Sequence, residues 1–268
     1  MSETMNHAGG PSGDRAAQQI DVGAGTAAAT PPLRTLGAVA RVFVRRRSPQ
    51  VLLSGLTISV LVRLVVVDGQ RWRWWDLVAV VMVAVLAPLF EWFIHLFVLH
   101  LPPTRIGPVL FDPGAGHRQH HLFPSQIDRV LLRGREAALF QLANAAIVAL
   151  LLGIPLVISG SFAPEPILTG VIAAVAALTH YEWSHFLFHT AYQPKTRFYR
   201  RLKRNHRMHH WRNERYWLGI TSNAGDRLFR TYPADRSAVP RSPTARTLNG
   251  EQPTQTATQR EPGRTDQD

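Results

Sequence analysis

Residues 77–101 read LVAVVMVAVLAPLFEWFIHLFVLHL: twenty-five positions with Glu91 as the single formal charge, and His95 and His100 near the end. A helix needs about 20 consecutive apolar residues to cross the hydrocarbon core of a bilayer, so this stretch is long enough by itself. It has companions. Residues 137–162 carry no charge over 26 positions, and residues 167–190 carry only Glu182 over 24. Residues 51–67 form a shorter run of 17, interrupted by Arg63. That arginine must either snorkel to the membrane surface or face protein. The four runs predict an all-α integral membrane protein with about four transmembrane helices in two hairpins.

The remainder of the 268 residues frames this apolar middle. Residues 1–33 and 234–268 are rich in small and polar side chains, cannot bury enough surface to offset ordering entropy, and are expected to be disordered tails. One membrane-embedded domain over residues 34–233 lies between them. Lysine and arginine number five in residues 34–50, five in 102–135 and eleven in 191–230, against only Arg71 and Arg73 in the intervening opposite loops. The positive-inside rule then places both termini, the central loop and the C-terminal region in the cytoplasm. The same asymmetry accounts for the net charge of +12 without nucleic acid, for which no motif is present. The chain has no cysteine, which excludes disulfides, thiolate metal sites, cysteine nucleophiles and cysteine-held iron–sulfur clusters.

Chemistry must therefore rest on imidazole. Of 12 histidines, 11 lie between His95 and His210. His95 and His100 end the second apolar run and are followed by His117, His120 and His121; His185 and His189 end the fourth and are followed by His206, His209 and His210. All ten fall on the cytoplasmic side of the expected topology. In HRQHH (117–121) and HRMHH (206–210) the spacing i, i+3, i+4 projects three rings from one helical stripe, where they can converge. His185 and His189 share a face at i, i+4. His95 and His100 are about 140° apart on an ideal helix and cooperate only if the helix ends at His100, for which Pro102 and Pro103 supply a reason. One structural zinc takes four ligands, so ten histidines fit two metals with about five each. His180 falls about 140° from His185 and on the face opposite His189, and is left out of the ligand set.

The order His95-x4-His100, His117-x2-His120-His121, Tyr181-Glu182-x2-His185-x3-His189, His206-x2-His209-His210 resembles the fatty acid hydroxylase/sterol desaturase superfamily of integral-membrane di-iron oxygenases. The stretch YWLGITSNAGDRLFRTY (216–232), with Asp226-Arg227-Leu228-Phe229-Arg230-Thr231, resembles the closing motif of that family, although Arg230 stands where glycine is usual and Glu182 where many relatives have Asp. The resemblance implies a bundle of transmembrane helices capped by a cytoplasmic helical metal domain. It implies the ten histidines as ligands of two iron ions, for which zinc can substitute in purified protein. It further implies O2 and an electron donor of cytochrome b5-like or ferredoxin/reductase type, and hydroxylation of a fatty acyl or sterol-like lipid drawn from the bilayer. Desaturation is the alternative outcome within the class.

Glu182 shares a face with His185 and His189, and with its neighbour Tyr181 is the expected catalytic residue beside the ligands. Its expected role is to hydrogen-bond a ligand imidazole and fix its tautomer. Glu91, four residues before His95, is expected to act in the same way, and Asp226 to be structural. A histidine-rich metal-binding or transport protein is the rival from another class. Transport would place ligands along a path near the bilayer midplane, whereas these lie at one membrane face.

Overall fold

The computed structural model describes residues 32–67 and 72–248. Most of the expected N-terminal tail and residues 249–268 of the expected C-terminal tail therefore lie outside the described residues, as does Arg71. The elements run α1 (Leu36–Phe43), α2 (Arg47–Val66), α3 (Trp74–Ile94) continuing into a π-helical turn (His95–Leu99), β1 (Thr104–Ile106), β2 (Val109–Phe111), α4 (Ala115–Leu122), α5 (Gly134–Ile158), α6 (Pro164–Phe188), α7 (Arg197–Trp211) and α8 (Ala224–Leu228). The only strands among the described residues form one short antiparallel hairpin, pairing Thr104 with Phe111 and Ile106 with Val109.

The long helices α2, α3, α5 and α6 pack together, with α6 against each of the other three. Gly170 makes one of these contacts possible: a Cβ there would lie 2.3 Å from Leu152 Cδ1 and 3.2 Å from Val148 Cγ1 of α5. Small residues at such crossings let apolar helices approach closely. Arg63 faces protein rather than snorkelling. It is buried, 3.3 Å from Asp76 of α3 and 3.2 Å from Thr169 Oγ1 of α6, and Thr169 donates to Asp76 at 2.5 Å. This polar knot ties three helices together in otherwise apolar surroundings.

Three helical stretches are long and apolar enough to cross a membrane: Arg47–Val66, Trp74–Leu99 and Ile127–Ile158. Three of the four expected runs thus meet this measure of length and composition. The short run at 51–67 gains length because the helix begins at Arg47, and it qualifies. The run at 167–190 forms α6, but Thr179, His180, Glu182, Ser184 and His185 interrupt its apolar character before a full span is reached. These are the residues that α6 carries into the histidine cluster.

The expectation of an unpacked tail from Ala234 also fails for part of its length. Val239, Ala245 and Leu248 are buried, and residues 237–248 hydrogen-bond to the ends of α4 and α7. The stretch is almost free of regular periodicity, so composition alone gave no sign of this packing.

Candidate metal centre

The ten histidines gather into two groups of five. One comprises His95, His100, His117, His121 and His209, the other His120, His185, His189, His206 and His210; within each, the ligand atoms lie within 4.8 Å of one another. Local structure explains how each arrives. Thr196 caps α7 by accepting from Tyr199 N–H, which starts a helix whose Arg197, Arg200, Arg201, Arg204 and Arg207 are exposed while His206, His209 and His210 are buried. At the end of α3 the helix does not simply stop. It widens into the π turn, whose i→i+5 hydrogen bonds bring His95 and His100 to the same side, with ring centroids 4.9 Å apart.

Each triplet divides rather than converging on one point. His117 and His121, spaced i, i+4, are about 40° apart and stay together, while His120 is about 100° from His121 and turns to the other group. His206 and His210 likewise stay together and His209 crosses to the first. The two groups abut, with the His121 and His210 rings 4.1 Å apart.

The hydrogen-bond pattern tests whether the rings suit a metal. His95 Nδ1 lies 2.6 Å from the Leu218 carbonyl, His121 Nδ1 2.8 Å from that of Ala245, His189 Nδ1 2.9 Å from that of Pro124, and His209 Nδ1 2.9 Å from that of Tyr216. A carbonyl only accepts, so these four rings carry their proton on Nδ1 and present a bare Nε2 inward. Burial holds the imidazoles of α4 and α7 neutral, pushing His121 down to about 3 and His209 well below its ordinary value. Yet His121 Nε2 and His209 Nε2 face each other at 3.2 Å, and both His95 and His121 approach His117 Nε2, at 3.1 and 3.2 Å. In the second group an unbroken series runs from His185 to His120, His210, His206 and His189 with Nε2 separations of 2.7–3.1 Å. Lone pairs opposed in this way repel unless a cation stands between them. Nitrogens about 2.1 Å from a metal and about 90° apart are themselves about 3.0 Å apart. The donor set therefore fits metal ions, and neutral imidazole suits iron, zinc, copper and nickel.

The backbone acceptors are braced in turn. Trp217 has φ 57 in the left-handed region, and its two neighbours, Tyr216 and Leu218, both offer their carbonyls to the first group. Asp226 accepts from Leu218 N–H (2.8 Å), Gly219 N–H (2.9 Å) and Thr231 Oγ1 (2.6 Å), and Thr231 accepts from Trp92 Nε1 of α3 (2.8 Å). Glu91 accepts from Ile220 N–H, from Thr221 N–H at 3.0 Å and from Thr221 Oγ1 at 2.5 Å. Glu91 thus makes no hydrogen bond to His95, contrary to expectation; it fixes the turn whose Leu218 carbonyl does. Asp226 has the structural role expected of it.

Glu182 is also corrected. Its Oε1 accepts from Ser48 Oγ at 2.5 Å and Leu132 N–H at 3.0 Å, and its buried Oε2 has no hydrogen-bond partner, so it reaches no imidazole. At i, i+3 from His185 the side chain turns about 60° away, toward the start of α2. Ser48 and the four carbonyl acceptors were beyond sequence reasoning, since backbone groups and one serine carry no pattern. His180 stands apart from both groups and meets Tyr199 OH at 2.9 Å.

An apolar cavity of about 670 Å³ opens between α3, α5 and α6, bordered by Val83, Phe90, Phe140, Val148 and, at its polar end, Glu91, His180 and Tyr181. A second void of about 30 Å³ touches His117, His120, Glu182 and His185. Leu99, Leu132 and Tyr181 line both. That small void has room for about one water-sized molecule.

A helical chain with membrane-length apolar helices, two five-histidine groups able to hold metal ions and an apolar cavity beside them defines a class of histidine-rich, membrane-type oxidoreductases. The family model for fatty acid hydroxylase matches residues 80–231, and the chain belongs to that family. Among solved structures the fold is similar to full-length scs7p, of which only the hydroxylase domain is visible, with a TM-score of 0.54 and 23% identity over 73% of this chain and 68% of that one. No curated protein matches. Membership supports a lipid hydroxylase- or desaturase-type activity.

Proposed function

We propose that the protein is a membrane-bound, O2-dependent lipid hydroxylase with two iron ions, held by the two groups of five histidines. The observation that carries this reading is the apolar cavity whose polar end shares Leu99, Leu132 and Tyr181 with a void bordered by both histidine groups. Iron, when bound, supplies the redox chemistry with O2 that acid–base side chains lack for an unactivated C–H bond. The chain does the rest. The walls of α3, α5 and α6 hold an acyl or sterol-like body by apolar contact and exclude water. Leu99, Leu132 and Tyr181 set how far it advances. Tyr181 and Glu182 border the reacting position, and the free Oε2 of Glu182 is available to hold a proton there.

The fourth span (α6), the cytoplasmic placement of both termini and the metal centre, and the electron donor belong to the same proposal. The exposed arginines of α7 lie on the outer face of the helix whose inner face carries His206, His209 and His210. An acidic cytochrome b5-like or ferredoxin-type donor docked there sits one helix away from the centre.

Expression in a host of defined lipid content, followed by lipid mass spectrometry under ¹⁸O2, tests the reading. One ¹⁸O atom in a lipid is the expected result. New unsaturation without label would move the assignment to desaturase, and unaltered lipids with an iron-loaded protein and a working donor would refute both.

A further inference from the structure

We infer that residues 237–248, outside the stretch that matches the family, are a clamp that completes the first histidine group; this rests on the metal-binding reading above. The segment joins the C-terminal ends of the two helices that carry the histidine triplets. On the α7 side, Arg212 Nε donates to the Val239 carbonyl (2.6 Å) and its Nη2 to that of Ser237 (2.7 Å). Asn213 Nδ2 donates to the Pro240 carbonyl (3.1 Å), Ser242 N–H to the Arg212 carbonyl (2.7 Å) and Thr244 Oγ1 to Glu214 (2.7 Å).

On the α4 side, Arg246 Nε donates to the His121 carbonyl (2.8 Å) and its Nη2 to that of Leu122 (2.5 Å). The last carbonyls of a helix have no partner within it, and a cation placed there is favoured by the helix dipole as well. The same guanidinium lies 4.1 Å over the Trp211 ring at the end of α7, so one side chain touches both helices. Next to it, the Ala245 carbonyl takes the Nδ1 proton of His121 at 2.8 Å.

The clamp therefore does two things to one ligand. It fixes which nitrogen of His121 is bare, and it holds α4 against α7, the helix that supplies His209 to the same group. Ala245 and Arg246 are positioning residues. Groups that orient a metal-binding histidine from behind are typically worth about 10- to 100-fold in metal affinity.

The test compares the metal-free full chain in detergent with chains ending at Leu248 and at Arg236, each titrated with Co²⁺. The variant Arg246→Ala covers the case in which the shorter chain fails to fold, and circular dichroism reports helix content. The full chain and the chain ending at Leu248 are expected to bind two ions with equal affinities. The chain ending at Arg236 and Arg246→Ala are expected to bind one ion as before and the other about 10- to 100-fold more weakly. Superimposable titrations for all four would overturn the clamp while leaving the metal centre standing. Equal weakening at both sites with helix content intact would overturn the assignment to His121. A full chain that binds no Co²⁺ would overturn the metal-binding reading itself.

Discussion

Asp226→Asn isolates the brace behind His95. The carboxylate is fully buried and satisfies two backbone N–H groups and one hydroxyl. Asparagine keeps one oxygen, which can still serve Leu218 N–H and Thr231 Oγ1. Its amide nitrogen then faces Gly219 N–H, donor against donor. A buried donor left without a partner costs about 1–3 kcal/mol, and a hydrogen bond to a charged group is worth about 1.5–3 kcal/mol, so the fold should lose about 2–4 kcal/mol. Displacement of the turn also moves the Leu218 carbonyl from His95 Nδ1. The first histidine group should bind metal about 10- to 100-fold more weakly while the second is unchanged. Thermal unfolding followed by tryptophan fluorescence, with a Co²⁺ titration of the same preparation, reads both effects. Unchanged melting, or equal weakening at the two sites, would refute the reasoning.

Four further outcomes follow from the same geometry. His180→Ala should keep both metals, since its ring meets Tyr199 rather than either group, whereas His185→Ala should lose one; elemental analysis of folded protein decides, and metal loss from the first variant would overturn the ligand set. Glu182→Gln should retain metal, because glutamine still offers an oxygen to Ser48 and Leu132, yet lose most turnover, and near-normal product by mass spectrometry would remove Glu182 from the chemistry. Replacing Arg230, at φ 61, by glycine (Arg230→Gly) should stabilise the fold by about 1 kcal/mol, seen as a higher melting temperature; a lower one would show that the side chain contributes more than the backbone costs. Metal-free protein should be destabilised by acid: His121 takes up a proton near 6.5 when unfolded but only near 3 when folded. Unfolding between those values consumes protons, and stability falls by about 1.4 kcal/mol per pH unit for each such ring. A melting temperature flat from pH 7.5 to 5.5 would contradict this.

Side-chain type and spacing made much of this protein legible in sequence. The apolar runs located the long helices, and His180 was told apart from the ten by its angle to His185 and His189 together with the lack of a nearby proline that ends the helix. Hydropathy ranks α2 and α6 as the weaker candidates for one reason: it averages over residues and ignores whom they face. Arg63 depresses the value for α2 although it is spent on Asp76 and Thr169, and the polar end of α6 is buried in the site. The π turn at His95 was partly visible, because Pro102 and Pro103 required the helix to end, but the manner of ending depends on backbone hydrogen bonds. The roles of Glu91 and Glu182 were misassigned for the same cause. Their position on the helix face was readable, whereas their partners are N–H groups of a turn and a loop far away in sequence. The carbonyls of Pro124, Tyr216, Leu218 and Ala245 belong to every residue type equally, so no pattern could single them out.

The exchange of His120 and His209 between the groups bears on how the protein is made. A ribosome delivers the chain from its N-terminus, and when α6 has emerged, most of the apolar residues are available to pack. Neither histidine group is complete at that point, because the first still lacks His209 and the second lacks His206 and His210. Fragments cut between the two halves each keep four histidines of their own group and lend one ring to the other. Full ligation at either group therefore needs α7, and metal held there would join segments that the long helices alone only bring near.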